Sequence, residues 1–443
     1  MTTAAQTLAG FAAGLKLSDI PAAVRERAKD CMIDTVGVAS FGARFPWSHM
    51  LVEHAKMYGV GGKSTVLGFP GLKLTAPYAA LANGGLTHAY EQDSLRQPGA
   101  GVHAGACIVP ALLAAAEEAG ADGKTALTAF VAATEVMFRI GNASHHSSEK
   151  LGFHAPGITG PYGAAVAAGL VYGLNTEQLV SALGIAGSLG SGVLAFTKSK
   201  QGAMVKRLHM GRACESGILA ARLAQQGYTG PETILEGRFG FLEVFCRDGD
   251  PSLLTAGLGQ DWEVLRICLK RYACHATSHP AVQALRELMT REKFSGAEVD
   301  SISVEASDKM VSHHVITEPN DIMQAQYSLP FNLALALFRD PDDAASFDDS
   351  AVADADIRAM CRSIKVGLDA NVKTAWSSRL HVKLEDGRQL LAEGETFKGM
   401  PKDPLSREEL KRKFSLLMKG QVGADGLFEH LAGLERQAKV LPG

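Results

Sequence analysis

The chain has 443 residues, of which 46% are hydrophobic and 21% are charged, and 44 Lys and Arg against 47 Asp and Glu give a net charge of −3. This composition is typical of a folded globular protein and excludes global disorder. The near-neutral charge also argues against a protein that binds nucleic acid through bulk positive charge. Because single hydrophobic cores stop growing near about 250–300 residues, we expect two domains.

The sequence shows no pattern typical of a signal peptide or a membrane helix. Residues 1–17 lack a basic region followed by a long apolar run, and the most apolar stretch, 178–196, is interrupted by serines and glycines. The seven cysteines are odd in number and scattered, which does not fit a disulfide framework. We therefore expect a cytoplasmic protein without a membrane partner.

Apolar spacing predicts that the first 270 residues are mainly helical. One helix is expected to begin at 18–21, where Ser18 or Asp19 can cap it and Pro21 suits the first turn. Further helices are predicted at 106–119, 124–140, 160–172, 176–186 and 212–226.

After Arg271 the pattern mixes helices with strands. The alternation at 299–306 predicts a strand, and 381–390 predicts a hairpin around an Asp-Gly turn. The predicted helices of this part lie at 280–291, 323–338, 350–363, 405–418 and 427–439. The order predicts a mainly α fold, with a helical domain at 1–270 completed by C-terminal helices at 400–443, and a smaller α+β domain at 271–399.

Familiar cofactor and metal motifs are incomplete in this sequence. Residues 59–65 end like a phosphate-binding loop, but Met57 stands where the first glycine is needed. Cys274, His275 and His279 could contribute to a metal site, yet the proline that follows favours a loop leading into a helix. We therefore predict neither a metal nor a cofactor.

One polar stretch combines acids with histidines. His88, Glu91, Asp93 and His103 place two carboxylates and two imidazoles within 16 residues, around a glycine-rich bend at 99–105. Loops with glycine let such side chains converge on a ligand, and carboxylates beside imidazoles are suited to general acid–base catalysis. The alternative is a polar helix end followed by a solvated loop.

Two further stretches suit anion binding. His154 comes just before a helix of small residues, where it can meet an anion at the helix N-terminus or merely cap a loop. Residues 198–212 contain five Lys or Arg and one His without an acid, between apolar segments. Such a cluster is costly to bury without anions, and a substrate with two or three carboxylates would compensate it. The predicted ligands are Lys198, Lys200, Lys206, Arg207 and His209.

Six blocks of sequence carry a resemblance that runs along nearly the whole chain. They are RAKDCMIDTVGVA at 27–39, AALANGGLTHA at 79–89, GFHAP at 152–156, KRLHMGRACESG at 206–217, SHPA at 278–281 and YSLP at 327–330. In this order and spacing, the sequence resembles the MmgE/PrpD family, which includes 2-methylcitrate dehydratase, cis-aconitate decarboxylase and iminodisuccinate epimerase.

The resemblance implies a large all-helical domain, a smaller α+β lid domain and a homodimer. It implies a small polycarboxylate substrate, no metal or organic cofactor, and proton transfer at a carbon next to a carboxylate. At matching positions, Asp93 resembles a retained acid and His103 an acid–base candidate, while His154 and Lys206 resemble residues that hold substrate carboxylates. These four are the predicted catalytic residues.

Departures from the family pattern point to a changed substrate. Residues 91–94 read Glu-Gln-Asp-Ser where the family has Asp-Phe-Asp-Asp, and Arg96 adds a nearby cation. A tyrosine that some members use has no clear counterpart, although His313 and His314 lie nearby. Besides the basic cluster, the predicted substrate-binding residues are His88, Arg96 and His275.

The function predicted from the sequence is that of a cofactor-independent lyase acting on a di- or tricarboxylate, with dehydration as the favoured outcome. Decarboxylation of a cis-aconitate-like acid and epimerisation of an iminodisuccinate-like acid are the alternatives, because all three reactions share one proton transfer. A binding protein without catalytic activity is the more distant alternative.

Overall fold

A computed structural model of the chain describes residues 2–99, 102–199, 203–369, 371–372 and 374–442. The chain forms two compact units. The first contains the described residues of Met1–Ala89, Asp93–Leu269 and Ser406–Gly443, and the second contains Tyr90–Gln92 and Lys270–Leu405. The predicted division at 271 and 400 did not include Tyr90–Gln92, a short segment enclosed in the sequence by two parts of the first unit.

The first unit is built from helices with two small strand pairs. Its helices up to residue 245 are α1 Ala4–Gly14, α2 Ala22–Gly42, α3 Pro46–Gly59, α4 Ala76–Thr87, α5 Ala104–Ala119, α6 Gly123–Ala143, α7 Ser147–Lys150, α8 Ala155–Val171, α9 Thr176–Leu189, α10 Val205–Gln225 and α11 Phe241–Phe245. Antiparallel pairs are formed by β1 Ser64–Thr65 with β2 Lys73–Leu74, and by β3 Leu95–Arg96 with β4 Ile267–Cys268.

Helix α8 lies at the centre of this unit and packs against α5, α6, α9 and α10. Small residues permit these helices to cross closely, and glycine alone accounts for 47 of the 443 residues. A Cβ added to Gly160 of α8 would lie 2.8 Å from both Cys107 Sγ of α5 and the Ala213 Cβ of α10. Since interiors are close-packed, a larger residue here would force the three helices apart.

The second unit is the α+β part. Its helices are α12 His279–Glu292, α13 Asp308–His313, α14 Ile322–Tyr327, α15 Leu329–Phe338, α16 Asp349–Ala353 and α17 Ala355–Ser363. Its strands are β5 Val299–Ala306, β6 Lys365–Leu368, β7 Ser378–Leu384 and β8 Gln389–Gly394. They form one sheet in the order β6-β5-β7-β8, in which β5 and β6 are parallel and the other pairs antiparallel. The strand at 299–306 and the hairpin are confirmed.

Two predicted helices of the second unit are each split in two. The segment 323–338 breaks at Ser328, whose side chain accepts a hydrogen bond from the Phe331 backbone and caps α15. The segment 350–363 breaks at Asp354, which caps α17 in the same way. Serine and aspartate compete for backbone hydrogen bonds, and apolar periodicity alone does not register this competition.

The C-terminal segment returns to the first unit as α18 Arg407–Leu417 and α19 Ala424–Ala432. Lys413 Nζ lies 2.5 Å from Asp34 Oδ1 of α2, and both side chains are buried. This ion pair fixes α18 on α2. The end predicted for the last helix, 427–439, is wrong, because α19 stops at Ala432 before a glycine.

The observed fold class agrees with the one that the family resemblance implies. Most of the described chain is helical and the strands form small sheets, so the mainly α fold with an α+β second unit is confirmed. Among the described residues, none of the helices has both the length and the apolar character that crossing a bilayer requires.

Candidate functional site

Asp93 lies at the centre of a buried polar cluster in the first unit. Its Oδ1 accepts a hydrogen bond from His88 Nδ1 at 2.9 Å, and its Oδ2 accepts one from His103 Nδ1 at 2.8 Å. Burial raises the pKa of Asp93, but the charges and hydrogen bonds of the two histidines outweigh it and hold the pKa well below its usual range. Because a carboxylate only accepts hydrogen bonds, both imidazoles carry a proton on Nδ1.

The two histidines differ in what can reach them. The His103 side chain is 12% exposed, whereas the side chains of His88 and Asp93 are 1% and 0% exposed. His103 directly precedes α5, and its ring meets the His88 ring edge-on at 5.2 Å. With Nδ1 protonated, the neutral His103 ring has its lone pair on Nε2 and can accept a proton there. His103 is therefore the member of the three that a ligand can reach, while Asp93 is enclosed and contacts both imidazoles.

Gly105 allows α5 to begin close to this cluster. Its backbone N–H donates to Ser94 Oγ at 3.1 Å. A Cβ at this position would lie 2.5 Å from Thr35 Oγ1 and 2.7 Å from Ser94 Oγ. Close packing of α5 against the residue after Asp93 therefore requires a glycine here.

A second pair of histidines continues the cluster. His154 precedes α8, His209 lies in α10, and their Nδ1 atoms are 2.9 Å apart. The His154 ring lies 6.4 Å from the His88 ring, and Phe196 packs against both members of the pair. Burial, with the positive charge of Lys206 as the next cause, lowers the pKa of both His154 and His209. Both rings are therefore neutral at neutral pH.

A short strap, residues 191–194, holds His154 in place. The His154 backbone N–H donates to the Gly192 carbonyl, and the Ser191 N–H donates to the Gly157 carbonyl, both at 3.1 Å. Gly192 has a φ of +122°, and a Cβ there would lie 3.1 Å from His209 Nδ1. Glycine is needed at this position both for its backbone conformation and for the space that the His209 ring occupies.

The predicted basic cluster is divided by the helix that contains it. Helix α10 begins at Val205 rather than 212, because the polar residues of its first turns obscure the apolar period. Lys206 and His209 are three residues apart and share a face. Arg207 instead lies 4.5 Å over the Trp47 ring and donates from Nε to the Ala89 carbonyl at 3.1 Å. Arg207 therefore packs α10 against α3 and the end of α4.

The remaining predicted cations have other settings. Lys198 is exposed at the end of a 3-10 turn, and Lys200 lies outside the described residues. Arg96 is buried, and its Nε donates to Glu263 Oε2 at 2.7 Å while Nη1 donates to the Pro98 carbonyl at 2.6 Å. The charge of Arg96 is compensated by Glu263, and its contact with the substrate stays a prediction.

The second unit has a polar cluster of its own. The His275 ring stacks on the His314 ring with centroids 4.2 Å apart, and Tyr327 lies 5.1 Å from His275. The Tyr327 hydroxyl donates to Glu91 Oε1 at 3.4 Å, and Lys270 Nζ donates to both the Glu91 carbonyl and its Oε2, at 3.0 and 3.2 Å. His275, a predicted ligand, thus belongs to an aromatic stack beside a buried ion pair.

His314 is held in its neutral form within that stack. Burial lowers its pKa to about 4, although the hydrogen bond from Nδ1 to the Tyr327 carbonyl opposes the shift. Sequence reasoning missed Lys270 and Tyr327 as site candidates. The available signals were that Tyr327 opens the YSLP block and that Lys270 closely precedes His275.

Two groups have the donor types that metals prefer. The donor atoms of His88, Asp93 and His103 lie within 4.8 Å of one another, so they could hold an ion. However, both carboxylate oxygens of Asp93 already accept a hydrogen bond from an imidazole. The set around Cys274 does not converge among the described residues, because His279 Nε2 faces the Cys274 carbonyl and His275 Nδ1 faces Thr277.

Comparison with known proteins identifies the family of the chain. The MmgE/PrpD N-terminal domain model matches residues 6–254, and the MmgE/PrpD C-terminal domain model matches residues 272–428. A cis-aconitate decarboxylase of Aspergillus terreus is 29% identical over 464 aligned residues, covering 98% of this chain and 93% of the relative. One from Aspergillus terreus strain NIH 2624 / FGSC A1156 is 30% identical, covering 92% and 87%, and one from Mus musculus is 26% identical, covering 92% and 85%. The chain belongs to the MmgE/PrpD family.

Proposed function

We propose that the protein is a cofactor-independent lyase that transfers a proton at the carbon next to a carboxylate of a small di- or tricarboxylic acid. The observation that carries this proposal is the hydrogen-bonded triad of His88, Asp93 and His103, in which only His103 is accessible to a ligand. Asp93 keeps the proton of His103 on Nδ1, so that Nε2 exchanges a proton with the substrate.

The charge that develops on the substrate would be met by groups of the same unit. Lys206 supplies a fixed positive charge, and His154 supplies an imidazole at the start of α8. Removal of a proton next to a carboxylate produces an enolate-like anion. Prearranged cations and N–H donors stabilise such an anion more than the neutral carbon acid that precedes it. Asp93 in turn stabilises the imidazolium of His103.

Two outcomes share this proton transfer. In dehydration, His103 removes the proton from carbon, and its imidazolium gives a proton to the hydroxyl on the neighbouring carbon, which leaves as water. In decarboxylation of an unsaturated acid, carbon dioxide leaves, and an imidazolium that has taken up a proton from solvent gives it to carbon. Dehydration is the outcome that the sequence favours. Decarboxylation is the second candidate, because relatives at 25–30% identity are named cis-aconitate decarboxylases.

Proton NMR in D₂O with citrate, 2-methylcitrate, cis-aconitate and iminodisuccinate tests the proposal directly. Appearance of a vinyl signal from citrate or 2-methylcitrate identifies dehydration. Conversion of cis-aconitate to a product that lacks one carboxylate identifies decarboxylation, and deuterium exchange without net conversion identifies epimerisation. The same assay compares His103→Gln with His54→Gln, a matched change at an exposed position of α3.

We expect His103→Gln to lose turnover by about 10²–10⁴-fold and His54→Gln to keep it. Full turnover in a folded His103→Gln variant would contradict the assigned role. Silence of the native enzyme across the panel would favour the binding-protein alternative.

A further inference from the structure

The His154–His209 contact constrains how many protons the pair holds. Two nitrogens of neutral imidazoles 2.9 Å apart attract each other only when one carries the proton and the other offers its lone pair. The resting pair therefore has one proton between the two Nδ1 atoms and one on an Nε2 atom. A further proton on the vacant Nε2 would produce an imidazolium that keeps the same Nδ1–H···Nδ1 bond.

The surroundings oppose that extra proton while no anion is near. Among the described residues, the groups that face the pair are Lys206 on α10, His88 at the end of α4 and His103 before α5. Lys206, and the two histidines whenever they are protonated, disfavour a positive charge on His154. The negative charge of Asp93 is already taken up by His88 and His103. Phe196 and Gly192 provide no charge. Burial is the largest cause of the lowered pKa of His154, and the positive charge of Lys206 is the next. A carboxylate bound beside Lys206 would cancel that second cause and offer a negative partner against the first.

We propose that His154 and His209 act as one proton-binding unit, which takes up a single proton when a substrate carboxylate binds beside Lys206. This inference rests on the proposed function, because it takes its ligand to be a polycarboxylate. His209 is then a positioning residue: its Nδ1 lets His154 become an imidazolium without breaking a buried hydrogen bond. The site gains its second positive charge only when the anion is present.

Stability of the resting protein is a physical reason for this arrangement. A permanent imidazolium here would be repelled by the charge of Lys206, and its own buried charge would have to be desolvated. A neutral pair beside one lysine avoids that cost. The positive charge needed to hold a substrate with two or three carboxylates is then supplied on binding, at the expense of making affinity dependent on pH.

Isothermal titration calorimetry with tricarballylate measures the proton directly. This saturated tricarboxylate has no hydroxyl to lose, and titrations at pH 6 in Pipes and in Bis-Tris, which differ in ionisation enthalpy, give the number of protons taken up. We expect a value approaching one for the native protein. The Kd should then rise with pH toward a limit of tenfold per unit, as uptake of one proton requires.

Two substitutions distinguish the pair from the neighbouring titratable groups. In His209→Leu, His154 has no acceptor for its Nδ1 proton, so proton uptake should fall toward zero and Kd at pH 6 should rise about tenfold. In His209→Asn, the amide oxygen can accept that proton, so most of the uptake should be restored. Thermal melts identify variants that do not fold, and the native measurement remains decisive if His209→Leu does not.

Uptake near zero in the native protein, or unchanged uptake in His209→Leu, would overturn the inference. Turnover of a polycarboxylate without proton-linked binding would refute it and leave the proposed function intact. Proton-linked binding without turnover of any acid in the NMR panel would do the reverse. Absence of tricarballylate binding at pH 6 would count against both.

Discussion

Replacement of Asp93 by asparagine tests the triad at its centre. The aspartate accepts two hydrogen bonds, from His88 Nδ1 and His103 Nδ1. An asparagine of the same shape accepts one through its oxygen and donates one through its nitrogen. The imidazole that faces the amide nitrogen must move its own proton to Nε2. If that imidazole is His103, the nitrogen that faces the ligand no longer accepts a proton.

The magnitude follows from the two interactions that are lost. A hydrogen bond to an imidazolium that forms during the reaction is charge-assisted and contributes about 1.5–3 kcal/mol. Its loss alone slows proton transfer roughly 10–150-fold, since each 1.36 kcal/mol is a factor of ten. The tautomer change removes part of the remaining general-base effect. We therefore expect Asp93→Asn to lower kcat by about 10²–10⁴-fold, with a smaller effect on KM.

The assay is steady-state turnover of whichever acid the NMR panel identifies, with the melting temperature measured in parallel. Asp122→Asn is a matched control, because Asp122 caps α6 through a hydrogen bond from the Thr125 backbone and asparagine caps equally well. Turnover of Asp93→Asn within threefold of the native enzyme, at an unchanged melting temperature, would refute the orienting role of the carboxylate.

Three further changes test other parts of the site. Gly192→Ala should lower kcat/KM about tenfold or more in a folded protein, because the added Cβ displaces His209 and the φ of +122° is strained; native kinetics would contradict the steric argument. Lys206→Gln should raise KM at least tenfold, whereas Lys56→Gln, on the exposed face of α3, should leave it unchanged; equal KM values would remove Lys206 from the substrate. The pKa of His314 is about 4 in the folded chain and near 6.5 in the unfolded chain, so lowering the pH from 7.5 to 5 protonates only the unfolded chain. Urea unfolding should therefore show a loss of about 2 kcal/mol in the free energy of unfolding. If His314→Gln has the same pH dependence as the native protein, His314 is not the cause of the loss.

The grouping of His88, Asp93 and His103 could be predicted because these residues are close together in the sequence. Asp93 and His103 are ten residues apart, and glycines between and after them indicate a bend. The spacing does not reveal which carboxylate oxygen serves which histidine, or that His88 is enclosed while His103 is accessible. Those facts depend on α5 starting beside Ser94, which is a consequence of packing.

The basic stretch is divided between different faces for a geometric reason. A run of lysines and arginines in the sequence appears as one positive patch, but a helix turns successive residues by about 100°. Lys206 and His209 therefore share a face, while Arg207 contacts Trp47 on another. The start of α10 at Val205 was the missing fact, because apolar periodicity identifies a helix only where apolar residues recur.

The second-unit cluster could not be predicted, because its members are far apart in the sequence. Lys270, His275, His314 and Tyr327 come together through the α+β fold, and periodicity carries no information on such long-range contacts. One family departure, Glu91, belongs to this cluster. The sequence alone predicts instead that Glu91 converges on the same ligand as Asp93, two residues later.

The separation of Glu91 from Asp93 has a physical cause in the backbone. Glu91 has a φ of +51°, which is uncommon for a residue with a Cβ and persists only when surrounding contacts compensate for it. Lys270 provides that compensation by binding both the carbonyl and the carboxylate of Glu91. The two acids therefore have different partners: the ammonium of Lys270 for Glu91 and two imidazoles for Asp93. If the two acids were one acid–base pair, Glu91 would have a role in proton transfer. Its contacts instead form an ion pair with Lys270, which holds the segment Tyr90–Gln92 within the second unit.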